Sequence, residues 1–313
     1  ITGIILSLTL FLISVFSITL TGPIEKLLEL TKEISKGNFQ VVARTKIKSH
    51  DEVGELAEDF DHMTAGLQER DKVKSMFSKF HGSSVTEDLL KSDLNLGGSR
   101  KKVTVFFSDI RGFTKFSEGH TPEEVVEMLN EYFQVMVSII NRHNGIVDKF
   151  IGDAIMAIWG TPTSTGDDAY AAVKSCLEMR RALNTLNEKR IARGQPAILI
   201  GMGLHTGEAI SGTIGSQERM EYTVIGDTVN MTSRIEASTK SFGTDLLVSE
   251  ATAEALSERI VMELAGRVEV KGKSEPLSLY KVNGFIEMGQ TVLIRTPYSE
   301  YQAEATDKVK VAS

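Results

Sequence analysis

Two aspartates, Asp109 and Asp153, stand where a carboxylate is readily aimed at a ligand. Asp109 follows the apolar run Val103–Phe107 and opens a glycine-bearing turn through Gly112. Asp153 sits at the bend of Ile151-Gly152-Asp153, between the β-prone runs Ile146–Phe150 and Ala154–Trp159, a pattern that predicts a tight hairpin. Each alone reads as an ordinary turn residue. As a pair they suit a two-metal site. Adjacent carboxylates repel unless cations lie between them, and Mg²⁺ is held by one or two carboxylates plus phosphate oxygens. Backbone N–H groups of Ile110–Thr114 offer a phosphate cradle between them.

Two more features carry chemistry. Lys149, four residues before Asp153, is a cation among apolar residues, which on an isolated surface hairpin would simply snorkel. In Tyr222–Arg234, Asn230 and Arg234 are i, i+4 on a predicted helix and project from one face. An amide beside a guanidinium suits a clamp on ribose and phosphate, since Arg offers planar donors that Lys does not. A cap and salt-bridge pair is the structural alternative. Asp227 is the expected helix cap.

The elements that must position these residues span roughly Lys101–Gly284. Thr121-Pro122-Glu123-Glu124 combines a cap, a first-turn Pro and a capping-box Glu. Val125, Leu129, Phe133, Met136 and Ile140 are the expected core face of the helix that follows. A second helix is expected over Asp167–Arg193, then strands over Ile198–His205, Ala209–Ile214 and Met220–Ile225. A helix over Thr228–Thr239 precedes further strands at Leu246–Val248, Arg267–Val270 and Leu277–Val282. Strands and helices mix without strict βα alternation, which predicts an α+β fold with helices packed on a sheet. Leu96–Ser99 reads as a flexible joint, and 286–313 as a flexible tail without periodicity.

The chain has 313 residues and a formal net charge of −7, so no global basic surface points to nucleic acid. A polyanionic substrate must be met locally, by metal ions or a few placed cations. The single Cys176 excludes an intramolecular disulfide and reads as buried filler. Beginning at Ile1, not Met, the chain is expected to be a piece of a longer protein, with a sensor region upstream.

Residues 1–20 contain no charged side chain, and twenty helical residues span about 30 Å, the thickness of a bilayer core. They are read as a transmembrane helix, with no basic n-region or cleavage site to support a signal peptide. Lys26 and Lys32 place the downstream chain in the cytoplasm, at the inner membrane. Ile24, Leu27, Thr31 and Ile34 then form a 3-4-3 stripe, and Val53, Leu56, Phe60, Met63 and Leu67 an a/d seam. Neither stripe can bury itself alone. A dimer forming a parallel four-helix bundle would bury both, as would a plain coiled-coil stalk. With Pro23 at the membrane exit and the DEVGEL entry to the second helix, residues 21–71 resemble a HAMP domain. The seam loses phase near Glu69–Lys72, and 72–100 reads as a transducing helix and linker.

FFSDIRGFT, DKFIGDAIMA, GLHTGEAISG and YTVIGDTVNMTSRIE together resemble the catalytic domain of class III nucleotidyl cyclases, over 101–285. The resemblance implies a ferredoxin-like, palm-type mixed sheet with packed helices. It implies that Asp109 and Asp153, with the backbone carbonyl of Ile110, hold two Mg²⁺ or Mn²⁺ ions per site. Gly112, Phe113 and Thr114 then cradle phosphate, Asn230 orients the ribose and Arg234 stabilises charge on the α-phosphate. Lys271 matches a position contacting the terminal phosphates, and Lys149 and Thr223 match the pair that reads the purine. In the family the metal aspartates face the partner's Asn, Arg and purine pair, so a homodimer would form two shared sites.

A Lys donates to adenine N1, and a Thr hydroxyl accepts from the 6-amino group. Guanine shows an N1–H and a carbonyl there instead. Guanylate cyclases of the family carry Glu and Cys at these places. Many adenylate cyclases carry Asp where this chain has Thr223, the Thr being typical of a subgroup that includes bicarbonate-responsive enzymes. Gly201 departs from members with a phosphate-facing Arg. The expectation is a membrane-anchored, HAMP-regulated adenylate cyclase converting ATP to cyclic AMP and pyrophosphate. The rivals are a guanylate cyclase and a catalytically silent dimeric relay.

Overall fold

The computed structural model describes residues 2–17, 21–43, 47, 51–81, 86, 96–269, 276–304 and 310–311. The chain divides into two compact units, Ile1–Phe80 and His81–Ser313.

In the first unit, α1 (Thr2–Phe16) is apolar and wholly exposed and α2 (Gly22–Ser35) is amphipathic, while α3 (Glu52–His81) shows no single apolar face along its whole length. Among the described residues no helix is long and apolar enough to cross a membrane. The described α1 has 15 residues, which at 1.5 Å per residue reach about 22 Å. Leu27, Leu30, Ala43, Ile47 and Ala57 make a small core, with Val53 and Phe60 packed against it. Leu56 and Met63 of the expected seam remain exposed in the single chain. The loss of phase near Glu69–Lys72 does not interrupt α3, which continues to His81.

The second unit is built on a mixed sheet. Its leading part runs β1 (Gly97–Ile110), α4 (Phe113–Glu118), α5 (Pro122–Arg142), β2 (Ile146–Ile151), β3 (Ala154–Trp159), α6 (Asp168–Ala192) and β4 (Ile200–Gly215). Strand order β4-β1-β3-β2, antiparallel throughout, with α5 and α6 as the crossovers, is the ferredoxin-like split βαβ arrangement. Then follow β5 (Met220–Ile225), α7 (Asp227–Phe242), β6 (Leu246–Ser249), α8 (Glu250–Leu256), β7 (Ile260–Glu269), β8 (Leu277–Glu287) and β9 (Gln290–Leu293). The pair β4–β6 is parallel, so the sheet is mixed, as expected.

The capping box at Thr121 forms as its residue types require. Glu124 N donates to Thr121 Oγ1 and Thr121 N donates to the Glu124 carboxylate. The buried face of α5 keeps Met136 and Ile140 of the expected set, with Leu129 and Phe133 packed at its edge, but is turned toward Met128, Tyr132 and Ile139. Tyr132 turns in because its hydroxyl finds the buried Ser108 Oγ at 2.9 Å. One large core holds this residue with Phe106, Trp159 and the fully buried Cys176, whose thiol burial pushes above its ordinary range.

Three expectations give way to long-range pairing. Gly97–Ser99 is not a joint but the start of β1, paired with Ser211–Thr213. The two strands expected over 198–214 are one, because His205, Thr206 and Gly207 stay in register with Val105, Thr104 and Val103. The described part of 286–313 forms β9 and a docked segment. Ile294 is buried, Tyr301 Oη donates to Thr244 O at 2.6 Å and Glu304 N to Lys240 O at 3.0 Å.

Candidate active site

Asp109 is the last residue but one of β1, the strand between β3 and β4, and the β2–β3 turn carries Asp153 beside it. Asp153 Oδ2 accepts from Ile110 N at 3.1 Å, which fixes the turn against the strand end. Burial and the adjacent Asp109 carboxyl push Asp153 up to about 7. Such a pair of close carboxyl groups is an all-oxygen donor set, which fits a hard dication. Among the described residues no cluster of three or more metal-ligating side chains occurs.

Gly112 follows with φ 71° and caps α4, whose first residues are Phe113 and Thr114. This left-handed turn lets the chain leave β1 directly into a helix beside the aspartates. Phe113 packs partly into the main core and anchors the turn. Lys271 lies outside the described residues.

Lys149 and Thr223 come together. They face one cavity of about 500 Å³, also lined by Phe107, Met156, Ile225 and Val229. Neither Asp109 nor Asp153 is among its described lining residues. Behind Thr223, and bonded to it, stands a residue that the sequence pattern did not single out. Asp148 has a side chain only 2% exposed and accepts from Thr223 Oγ1 at 2.9 Å. Alternation along β2 would turn Asp148 away from Lys149. A bulge between Val147 and Lys149 leaves Asp148 without a strand partner and turns both side chains to the same side. Lys149 Nζ lies 3.6 Å from Asp148 Oδ2 and donates to Glu221 Oε2 at 3.0 Å. Burial works to lower the Lys149 ammonium, but the Glu221 hydrogen bond and both carboxylate charges outweigh it and raise its pKa. Burial raises the Asp148 carboxyl, against the pull of Lys149 and the Thr223 hydroxyl.

Asn230 and Arg234 lie on α7, Asn230 exposed and Arg234 half-buried. Gly226, not Asp227, takes the cap position, and Asp227 is the first helical residue. The helix rests on β4 at Gly203, where a Cβ would run into the backbone of Glu236. Arg111, also unremarked in the sequence, tucks beneath α7. Its guanidinium lies 3.3 Å from Glu236 Oε1, hydrogen-bonds Thr239 Oγ1 and sits 5.9 Å from the Tyr301 ring centroid. His205 is a structural histidine, its Nδ1 2.7 Å from Ser249 Oγ.

Residues 98–284 match the model of the adenylate and guanylate cyclase catalytic domain, and residues 15–69 match that of the HAMP domain. The chain therefore belongs to the family of adenylate and guanylate cyclase catalytic domains, with a HAMP domain preceding it. It is 35% identical over 281 residues to an adenylate cyclase of Anabaena cylindrica, covering 84% of this chain and 54% of that one. The crystal structure of the guanylyl cyclase Cya2 is similar at TM-score 0.58 and 40% identity, covering 63% of this chain and all of the other. That of the adenylyl cyclase CyaB from P. aeruginosa follows at TM-score 0.56 and 38% identity, covering 60% and 96%. The chain spans between 29% and 54% of the length of the first two curated relatives.

Proposed function

We propose that this chain is an adenylate cyclase that closes ATP to 3′,5′-cyclic AMP with release of pyrophosphate. The observation that carries the choice of base is the meeting of Lys149 and Thr223 in one cavity. Similarity alone does not choose, since an adenylyl and a guanylyl cyclase resemble the chain about equally. A lysine ammonium is a donor, which suits adenine N1 and opposes the N1–H of guanine.

Asp109 and Asp153, with the Ile110 carbonyl, would hold two Mg²⁺ or Mn²⁺ ions. When bound, these supply Lewis acidity at the ribose 3′-oxygen and charge neutralisation on the triphosphate. The chain's own groups do the rest. Lys149 and Thr223 set the base, and Asn230 holds the ribose so that its 3′-oxygen stands in line with the α-phosphorus. The bond from 3′-oxygen to phosphorus forms as the bond to pyrophosphate breaks, and Arg234 meets the charge that develops on the α-phosphoryl oxygens. Gly112, Phe113, Thr114 and Lys271 are assigned to the phosphates.

The catalytic unit works as a homodimer with two shared sites, each pairing these aspartates with Asn230 and Arg234 of the partner subunit. Support for dimerisation comes from the exposed seam residues Leu56 and Met63, which a second HAMP segment would cover. The uncharged residues 1–20 anchor the chain in the inner membrane, the catalytic unit lies in the cytoplasm, and HAMP relays the signal along α3.

The test incubates the full chain in detergent with ATP or GTP and Mn²⁺ and quantifies both cyclic products. Cyclic AMP in clear excess is expected. Cyclic GMP in excess would overturn the reading of Lys149 and Thr223. Folded dimer without product would leave a silent relay.

A further inference from the structure

A threonine hydroxyl is an ambiguous reader of a base. It has one proton to give and two lone pairs, so rotation lets it donate to a guanine carbonyl as readily as it accepts from an adenine amino group. Thr223 alone therefore does not explain a preference for adenine. The structure assigns that choice to Asp148, as a positioning residue that fixes the polarity of the purine-reading pair. This rests on the adenylate cyclase reading above and concerns the same site.

The geometry is specific. Thr223 Oγ1 commits its only proton to Asp148 Oδ2 at 2.9 Å, and the Asp148 side chain is 2% exposed, so water does not compete for it. The remaining lone pairs of Oγ1 are what a base in the cavity would meet. An adenine 6-amino group finds an acceptor there; a guanine O6 finds only another acceptor and no proton. Lys149 is fixed in the complementary sense. Glu221 Oε2 at 3.0 Å and Asp148 Oδ2 at 3.6 Å hold it as an ammonium, which has three protons and so retains a donor for the base. Donor at Lys149 and acceptor at Thr223 together mirror the edge that adenine presents, an acceptor at N1 and a donor at N6.

The bulge makes this possible. Because Asp148 has no partner on β3, its side chain sits on the Lys149 side of the strand, under β5. A regular strand at this point would leave Thr223 free to turn.

The test measures kcat/KM for ATP and for GTP with the full 313-residue chain. Asp148→Ala, and Asp148→Leu should the smaller residue leave the protein unfolded, remove the acceptor and free the Thr223 proton. The ATP-to-GTP ratio is expected to fall about tenfold, the scale of one buried hydrogen bond. Asp148→Asn retains an acceptor oxygen and should keep the ratio within about threefold. Against a Thr223→Val background, which has no hydroxyl to orient, Asp148→Ala should leave the ratio unchanged. A merely structural role lowers both activities together; an unaltered ratio in Asp148→Ala or Asp148→Leu therefore overturns the proposal. So does a ratio that falls equally with and without the Thr223 hydroxyl. Wild-type protein that makes no cyclic AMP would instead bring down the adenylate cyclase reading itself.

Discussion

Arg111 fills the place that a side chain at Gly201 would take. A Cβ built at Gly201 runs into the Arg111 guanidinium and Glu236 Oε1. Gly201 is the strand partner of Asp109, so this packing lies beside the Asp109 carboxylate. It also ties the end of β1 to α7, the helix that carries Asn230 and Arg234. Gly201→Ala should therefore force Arg111 out of its contacts with Glu236 and Thr239 and cost about 1–3 kcal/mol. The double variant Gly201→Ala/Arg111→Ala should lose less than the sum of the single losses, measured by denaturant unfolding. Strict additivity would mean that the two residues do not share this space.

Complementation separates shared from self-contained sites. Asp109→Ala and Arg234→Ala should each abolish activity, since each would remove one half of both sites in the proposed homodimer. Mixed and allowed to exchange subunits, they should recover up to about a quarter of wild-type activity, one intact site in half the dimers. Demonstrated heterodimers without activity would refute the shared site.

The carboxylate pair predicts an opposite pH dependence for empty and metal-loaded protein. Asp153 rises to about 7 through burial and Asp109, against an ordinary value of about 4. The metal-free native state then binds more protons than the unfolded chain between those values. The stability this proton confers is complete below about pH 4 and is lost as pH rises through about 7. A dication bound by this pair, as proposed, would replace the proton. Mn²⁺ should therefore raise Tm more at about pH 8 than at about pH 5.5, and Asp153→Asn should abolish the difference. A Mn²⁺ shift independent of pH would count against metal binding at this pair.

Arg180 sits in the interior, its side chain 2% exposed, clasped by both oxygens of Asp245. It also donates to Val282 O at 3.0 Å and Ile294 O at 2.8 Å, so the segment after β9 completes its shell. Asp245→Ala strands a buried guanidinium and should cost about 3–5 kcal/mol. Ending the chain at Leu293 removes the Ile294 carbonyl and the Tyr301 contact with Arg111, and should lower Tm as well. A truncated protein as stable as the full chain would show that this segment braces nothing.

Local chemistry was legible from the residues alone. The capping box at Thr121, the hairpin around Asp153, the i, i+4 spacing of Asn230 and Arg234 and the ordered motifs each depend on neighbours a few positions away. Their outcome survives in almost any surroundings. Tertiary structure decided what depends on distant partners. Pairing with β1 carried β4 unbroken through Thr206-Gly207, and the Ser108 hydroxyl drew Tyr132 inward and rotated the buried face of α5. At Asp148 the two levels part most sharply. Period-two alternation sends neighbouring side chains to opposite faces, and only the register of β2 against β3 forces the extra residue that brings Asp148 and Lys149 together toward Thr223 and Glu221 of β5. A bulge is a property of two strands, and no single strand's residues encode it.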